Sequence, residues 1–346
     1  MHTRVARLSH LSGDELDRYL ARGWYRIGPT MMTCRFVHFD GELRTAVWTR
    51  LDLAGYRMRK SARRTLNRVH RHLHISIGEP VLDQEHEAVY QRYREIARGE
   101  RSSSLHDFLY GDRDPRTDVF DTREVRFTHP DGRLAGFSWF DLGSTAIQSL
   151  VGVYDPEVAN LSVGFASMLA EIRWAQRHDL RWFYPGYVLP GAPAMDYKLR
   201  VGPMDYLADD GRWRPWAELD RDQLPTEVLE ERLASAEVHL ADRGIAFERH
   251  LYPMFEAPAW HNNLATCLTE PLILLVPGGR HRSVRVVYWD LEREAYRLRR
   301  CVRASAIARA ASDDEGEGTP VELFVVVEDL ATRAEPGAIA AAVAAT

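Results

Sequence analysis

Cysteine is scarce. The chain has three, Cys34, Cys267 and Cys301, far apart and outside any C-x-x-C pair. No disulfide framework or cysteine zinc site follows from them, and a reducing compartment fits. Long apolar runs are missing too. The run "PLILLVP", for example, is too short to span a membrane. The N-terminal "MHTRVARLSHLSGDELDRYL" carries charges throughout and lacks the apolar core of a signal peptide. These absences lead us to expect a cytoplasmic protein with no membrane partner. No G-x-S-x-G elbow, P-loop or kinase signature is found. His70, His72 and His74 are closely spaced, but no acidic residue lies among them as a metalloprotease helix requires, and no metal is expected. The last absence is local: no acidic residue occurs between Asp52 and Glu79.

What is present is an ordinary globular composition, 45% hydrophobic and 27% charged. A length of 346 residues suggests two or three domains. The net charge of -5 does not suggest a nucleic-acid binder, so charge has to be read segment by segment.

"SGDELDRYLARGW" reads as a short helix with Ser12 as N-cap and Glu15 three residues on. "RFVHFD" and "RTAVWTRLDL" read as strands. Residues 57–73 form an amphipathic helix, with Met58, Ala62, Leu66, Val69 and Leu73 on one face. "HISIG" alternates as a strand, and 84–98 is helical. "REVRFTHPDGRLAGFSWFDLGSTAIQSLVGVYDP" reads as an antiparallel meander turning at "PDGR" and "DLGS". A helix capped by Ser162 follows, with Val163, Ala166, Leu169, Ile172 and Trp174 at rough helical spacing. "RWFYPG" is the next strand. Beyond 216 come a charged helix, a hairpin of "SVRVVYWDLE" with "YRLRRCV", the acidic linker "DDEGEGTP", a last strand, and a low-complexity tail, "EPGAIAAAVAAT", expected to fray. The expected class is α+β, a mixed central sheet flanked by helices. An N-terminal α+β segment (1–80) precedes the central domain (81–215), and a C-terminal α+β extension (216–346) follows it.

Three constellations carry chemistry. The first is the basic helix. Arg57, Arg59, Lys60, Arg63, Arg64, Arg68 and Arg71 fill the stretch that lacks acids, and such a face fits a phosphate backbone. The second is the strand–helix junction "VYDPEVANLSVGFAS". Its Gly164-Phe165-Ala166 matches the second half of the turn that cradles a pyrophosphate in acetyltransferase-type folds. Leu161 stands where that pattern has Arg or Gln, so the acyl-CoA grip is missing. A glycine placed for close helix–sheet packing explains the same residues. The third is the loop "FYPGYVLPGAPAMDYKLRVGP". Tyr184, Tyr187 and Tyr197 offer aromatic faces and hydroxyls to an unpaired base or ribose, and Asp196 and Lys198 add opposite charges. An ordinary core loop with an ion pair is the plainer reading.

Taken in order, these segments resemble the arginyl/leucyl-tRNA–protein transferase family over about residues 20–207. The resemblance rests on "GWYRIG", "SARRTLNR", "VYQRYREIARG" and "DGRLAG". It rests most of all on "VYDPEVANLSVGFASMLAEI" and the tyrosine loop with Tyr184 to Tyr187 and Met195-Asp196-Tyr197-Lys198. It implies a GNAT-like acyltransferase fold and transfer of Arg or Leu from aminoacyl-tRNA to the N-terminal α-amine of an acceptor protein. Aminoacyl-tRNA is then co-substrate, with no separate cofactor. It implies catalytic roles for Tyr187, Asp196 and Lys198. It implies tRNA or substrate contacts from Lys60, Arg63, Arg64, Asn67, Arg68, Tyr154, Ser162, Gly164, Tyr184, Gly186, Met195 and Tyr197. In particular, Tyr184 and Tyr187 position the terminal adenosine or the ester. The chain departs from the family pattern at "MMTCRF", which keeps only Cys34. It also departs at "PGAPAMDYK", which has no cysteine, and at Arg98-Gly99, where arginine–histidine is usual. Two alternatives stand beside this reading. One is an acyl-CoA-dependent or other GNAT-type N-acyltransferase. The other is a non-catalytic relative that binds tRNA or protein.

Overall fold

The computed structural model describes residues 2–97, 102–111, 113–114, 119–277, 283–308 and 319–346. The Arg98-Gly99 pair and most of the acidic linker lie outside them. The chain forms two compact units. One joins Ala6–Thr33 to Ala46–Leu219, and the other joins Met1–Val5, Cys34–Thr45 and Asp220–Thr346.

The first unit is built on an eight-stranded mixed sheet. Its strands in chain order are β1 (Val47–Asp52), β2 (His74–Gly78), β3 (Thr122–Thr128), β4 (Leu134–Leu142), β5 (Ala146–Tyr154), β6 (Trp182–Val188), β7 (Asp205–Leu207) and β8 (Trp213–Pro215). Their spatial order is β8-β7-β1-β6-β5-β4-β3-β2. The expected meander is β3-β4-β5, antiparallel throughout. β5 and β6 are the parallel pair, joined by a helical crossover as parallel strands require. No boundary falls near residue 80. β1 is hydrogen-bonded between β7 and β6, and β2 forms the edge of the same sheet beside β3.

The helices of this unit are α1 (Gly13–Leu20), α2 (Lys60–His72), α3 (Gln84–Ile96), α4 (Leu105–Tyr110) and α5 (Val163–Arg177). Ser12 and Glu15 form the expected capping box on α1. The short helix α4 is capped by the Ser104 hydroxyl. α5 packs on one sheet face with α2 against it. Ala62, Leu66 and Val69 meet Phe165, Leu169 and Ile172 there, over Val125, Phe140 and Ile147. α3 and α4 cover the opposite face through Val89, Tyr90 and Leu109 on Phe137 and Trp139. Covered on both faces, β4 is buried along almost its whole length.

The second unit holds a five-stranded antiparallel sheet of β9 (Glu248–Leu251), β10 (Leu272–Pro277), β11 (Ser283–Asp290), β12 (Ala295–Ala308) and β13 (Thr319–Arg333), in that order. The expected hairpin is β11-β12. α6 (Pro225–Ala241) and α7 (Pro336–Ala345) pack together against it. The tail expected to fray is α7. Its alanines favour helix, and Ile339, Ala340 and Val343 are buried in the core.

Candidate functional site

α2 presents its cations outward. Arg57, Arg59, Lys60, Arg63, Arg64 and Arg71 are exposed, and Asn67 lies among them. Like charges recur at i,i+4 (Lys60, Arg64, Arg68), which costs a helix a few tenths of a kcal/mol per pair. No carboxylate of the described residues forms an ion pair with any of the seven. Arg64, Thr65, Asn67, Arg68 and Arg71 line a surface concavity of about 570 Å³. Arg68 ties this face to the start of α5. Its Nη2 donates to the Leu161 carbonyl at 3.2 Å and to the Ser162 hydroxyl at 3.3 Å.

Ser162 does occupy the N-cap of α5, but its side chain does not cap. Its backbone is left-handed (φ 62°), and its hydroxyl accepts from Arg68 instead. Gly164 has a packing reason: a Cβ there would lie 3.3 Å from the Tyr154 ring, which stacks edge-on with Tyr93. Asp155 caps the turn before α5 and is held by Arg92 at 2.7 Å. The Arg68, Tyr154, Ser162 and Gly164 of the sequence reading are thus brought to one end of α5.

Strands β5 and β6 pair only from Ala146–Gln148 to Trp182–Tyr184 and then part. A register shift on the β1 side of β6 spans Phe183 to Gly186, and Gly186 adopts φ 83°, a conformation glycine tolerates. Tyr25, on the hairpin strand Tyr25–Ile27, fills the gap. Its hydroxyl donates to the carbonyls of Ser149 (2.9 Å) and Leu150 (2.7 Å). Burial pushes its phenol far above the usual tyrosine range, so it remains a neutral donor. Beyond the bulge, Tyr187 packs edge-on against Trp48.

The Met195–Lys198 run follows as a helical turn, Pro193–Asp196, and a 3-10 turn, Tyr197–Val201. Met195, Asp196, Tyr197 and Lys198 are half-buried. Lys198 Nζ donates to the Tyr187 carbonyl at 3.0 Å and sits 5.7 Å from that ring's centroid. Tyr187, Gly186, Tyr197 and Lys198 are therefore gathered at the parted strands. Tyr184 is not: it is buried with Leu16, Leu20, Met31 and Phe120, its ring edge-on to Trp213. At 5% exposure it has no free face for a base, which corrects the stacking role expected of it.

Two residues of this region escaped the sequence reading. One is Tyr25, whose only signal was its place in "GWYRIG". The other is Glu171, fully buried on α5, where Ser138 Oγ donates to it at 2.7 Å. Burial pushes its carboxyl up to about 7, outweighing the serine hydrogen bonds. Tyr187, Tyr197 and Glu171 each lie close enough to Tyr25 for a charge on them to disfavour its ionisation. A half-buried neutral phenol and a buried acid thus lie near Tyr187, whose carbonyl receives the Lys198 ammonium.

The model of the family described as "Arginine-tRNA-protein transferase, C terminus" matches residues 85–208. The chain is 28% identical over 153 residues to the aspartate/glutamate leucyltransferase of Leptospira interrogans serovar copenhageni, covering 41% of this chain and 57% of that protein. It is 29% identical over 222 residues to the protein of the same description from Halorhodospira halophila, covering 61% and 90%. The match thus spans little more than half the length of the Leptospira relative. Among solved structures, a tandem GNAT protein from the clavulanic acid biosynthesis pathway is a distant likeness. Its TM-score is 0.30 at 13% identity, over 58% of this chain and 60% of that one.

Proposed function

We propose that the chain moves an amino acid from aminoacyl-tRNA to the N-terminal α-amine of an acceptor protein, a reading supported by the match of residues 85–208 to the arginine-tRNA-protein transferase family model. The names of the relatives favour leucine as donor residue and aspartate or glutamate as acceptor N-terminus; the family model's name carries arginine as the competing donor. The observation that carries the reading is the juxtaposition at the parted strands, where Lys198 is held on the Tyr187 carbonyl. The cationic face of α2, tied to α5 by Arg68, adds a surface for the tRNA phosphates.

The reaction is aminolysis of an activated ester. The neutral α-amine, whose pKa is about 8, attacks the ester carbonyl. A C–N bond forms, the C–O bond to the ribose breaks, and the amine proton ends on the departing oxygen. No ATP is consumed. Catalysis is positioning together with stabilisation of the oxyanion. Lys198 holds that oxyanion or the acidic side chain of the acceptor, and Asp196 takes the amine proton and passes it to the departing ribose oxygen. Tyr187 sets the ester against them, and Lys60, Arg63, Arg64 and Arg68 hold tRNA phosphates.

The test mixes purified protein with radiolabelled Leu-tRNA or Arg-tRNA and peptides beginning with Asp, Glu, Arg or Lys. Label on an Asp or Glu peptide from Leu-tRNA is expected. Lys198→Ala is expected to abolish it, with tRNA still retained on a filter. Tight tRNA binding without transfer would sink the enzyme reading in favour of a binding protein, and an active Lys198→Ala would sink the role of the lysine.

A further inference from the structure

Nothing in the functional reading uses Tyr25. Its half-buried side chain lies between strands that have stopped pairing, and its hydroxyl is shared between two successive main-chain carbonyls of β5. On the other side it presses on β6. A Cβ at Gly186 would lie 3.0 Å from the Tyr25 ring, so ring and backbone are already in close contact there. The Gly186 carbonyl is pinned from β1 by the Thr49 hydroxyl at 2.8 Å. The next residue, Tyr187, supplies the carbonyl that receives Lys198 and a ring that rests on Trp48. Trp48 is in turn 6.1 Å from the Tyr25 ring. A single side chain thus spans from β5 to the backbone that carries the lysine.

We propose that Tyr25 is a positioning residue for transfer: it braces the parted ends of β5 and β6 and so fixes the Tyr187 carbonyl and the Lys198 ammonium bound to it. The catalytic half of this proposal rests on the function proposed above; the positioning half does not. Beyond Gln148 and Tyr184 no ladder bond joins β5 to β6, each being held by its outer neighbour, β4 or β1, and the Tyr25 ring with its shared hydroxyl bond is the bridge between them. The chain also favours a clean test. It contains only two lysines, Lys60 and Lys198. Lys60 is exposed on α2, far in sequence from the wedge, and serves as an internal reference.

The experiment acetylates the full chain with an N-hydroxysuccinimide ester and reads Lys198 against Lys60 by mass spectrometry, with transfer kinetics alongside. Tyr25→Phe keeps the ring and removes both hydrogen bonds. Gly186→Ala attacks the same contact from β6, and guards against a fault of one variant. Both are expected to raise labelling of Lys198 relative to Lys60 severalfold. For Tyr25→Phe, kcat is expected to fall by about tenfold with KM for aminoacyl-tRNA unchanged, since small misplacements of a catalytic group act on the chemical step. An unchanged labelling ratio in both variants overturns the proposal. A raised ratio with normal kcat overturns its catalytic half. Absence of transfer by the unaltered protein overturns the functional reading instead, and the labelling ratio still decides whether Tyr25 positions Lys198.

Discussion

Arginine is used in two ways in this chain. On the β12–β13 hairpin, Arg297 and Arg299 reach Asp329 at 2.6 Å, Arg300 reaches Glu328 at 2.7 Å and Arg303 reaches Glu322 at 3.2 Å. The register places Arg299 opposite Asp329 and Arg300 opposite Glu328, so the strand pairing itself supplies the counter-charges. On α2 and the residues that lead into it, none of the seven cations has a carboxylate partner among the described residues. The hairpin arginines find counter-charges within the fold, whereas those of α2 do not, Arg68 reaching only the Leu161 carbonyl and the Ser162 hydroxyl. Local charge accounting thus shows a difference that composition alone cannot.

Arg26 is the extreme of the first kind, and breaking it should have the largest effect. It is 3% exposed, and its guanidinium donates to Asp141 and Thr122 at 2.9 Å, to the Leu109 carbonyl at 2.8 Å and to the Gly28 carbonyl at 2.7 Å. Arg26→Met leaves the Asp141 carboxylate buried without its cation. A loss of about 3–5 kcal/mol is expected, read as a lowered midpoint of thermal unfolding. A variant as stable as the parent would show that this pair does not hold the sheet.

Glu171 sharpens the comparison from the acidic side, because no cation answers it. Its carboxyl titrates near 7 in the folded chain against about 4.5 for an ordinary glutamate. The folded state therefore binds the proton more tightly. The cost of ionising it is absent below pH 4.5, grows as pH rises, and is complete above 7. That gap corresponds to roughly 3 kcal/mol at most. Glu171→Gln keeps an acceptor for Ser138, so it should stabilise the protein at pH 8 and change little at pH 5. Equal gains at the two pH values would remove ionisation as the cause.

The same contrast marks what the sequence made legible. α2 has one buried and one solvated face, so its 3.6-residue period exposed both the packing residues and the cations. The β3-β4-β5 meander was visible through its turns and alternation. α5 was harder: it lies between the sheet and α2, and Phe165, Ser167, Met168 and Ala170 are buried along with the expected stripe. A single glutamate in such a helix looks like a surface residue until the second layer is known. α7 failed in the opposite direction, since an alanine-rich tail shows no amphipathic pattern, while its packing partners are α6 and the strands β12 and β13. Tyr184 and Tyr187 looked equivalent in the loop. The register shift between Phe183 and Gly186 separates their surroundings, and no short motif announces such a shift.

The smallest effect is the one that tests the opening contrast most directly. Arg63→Ala with Arg64→Ala removes two exposed cations that repel their neighbours on α2, so folding stability should be unchanged or slightly improved. Binding of tRNA should weaken. The slope of log affinity against log salt should fall by roughly 1 for each arginine that touches a phosphate. Arg303→Ala is the matched control on the hairpin. Its side chain and that of Glu322 are about 40% exposed, so losing their pair costs at most about 1 kcal/mol. It should leave the salt slope alone. If Arg303→Ala lowered the slope as much as the α2 pair, ion pairing within the fold would be no guide to which arginines meet an anion. If the α2 pair cost stability and left tRNA binding intact, those cations would belong with the hairpin's, and the surface for the tRNA would have to be sought away from α2.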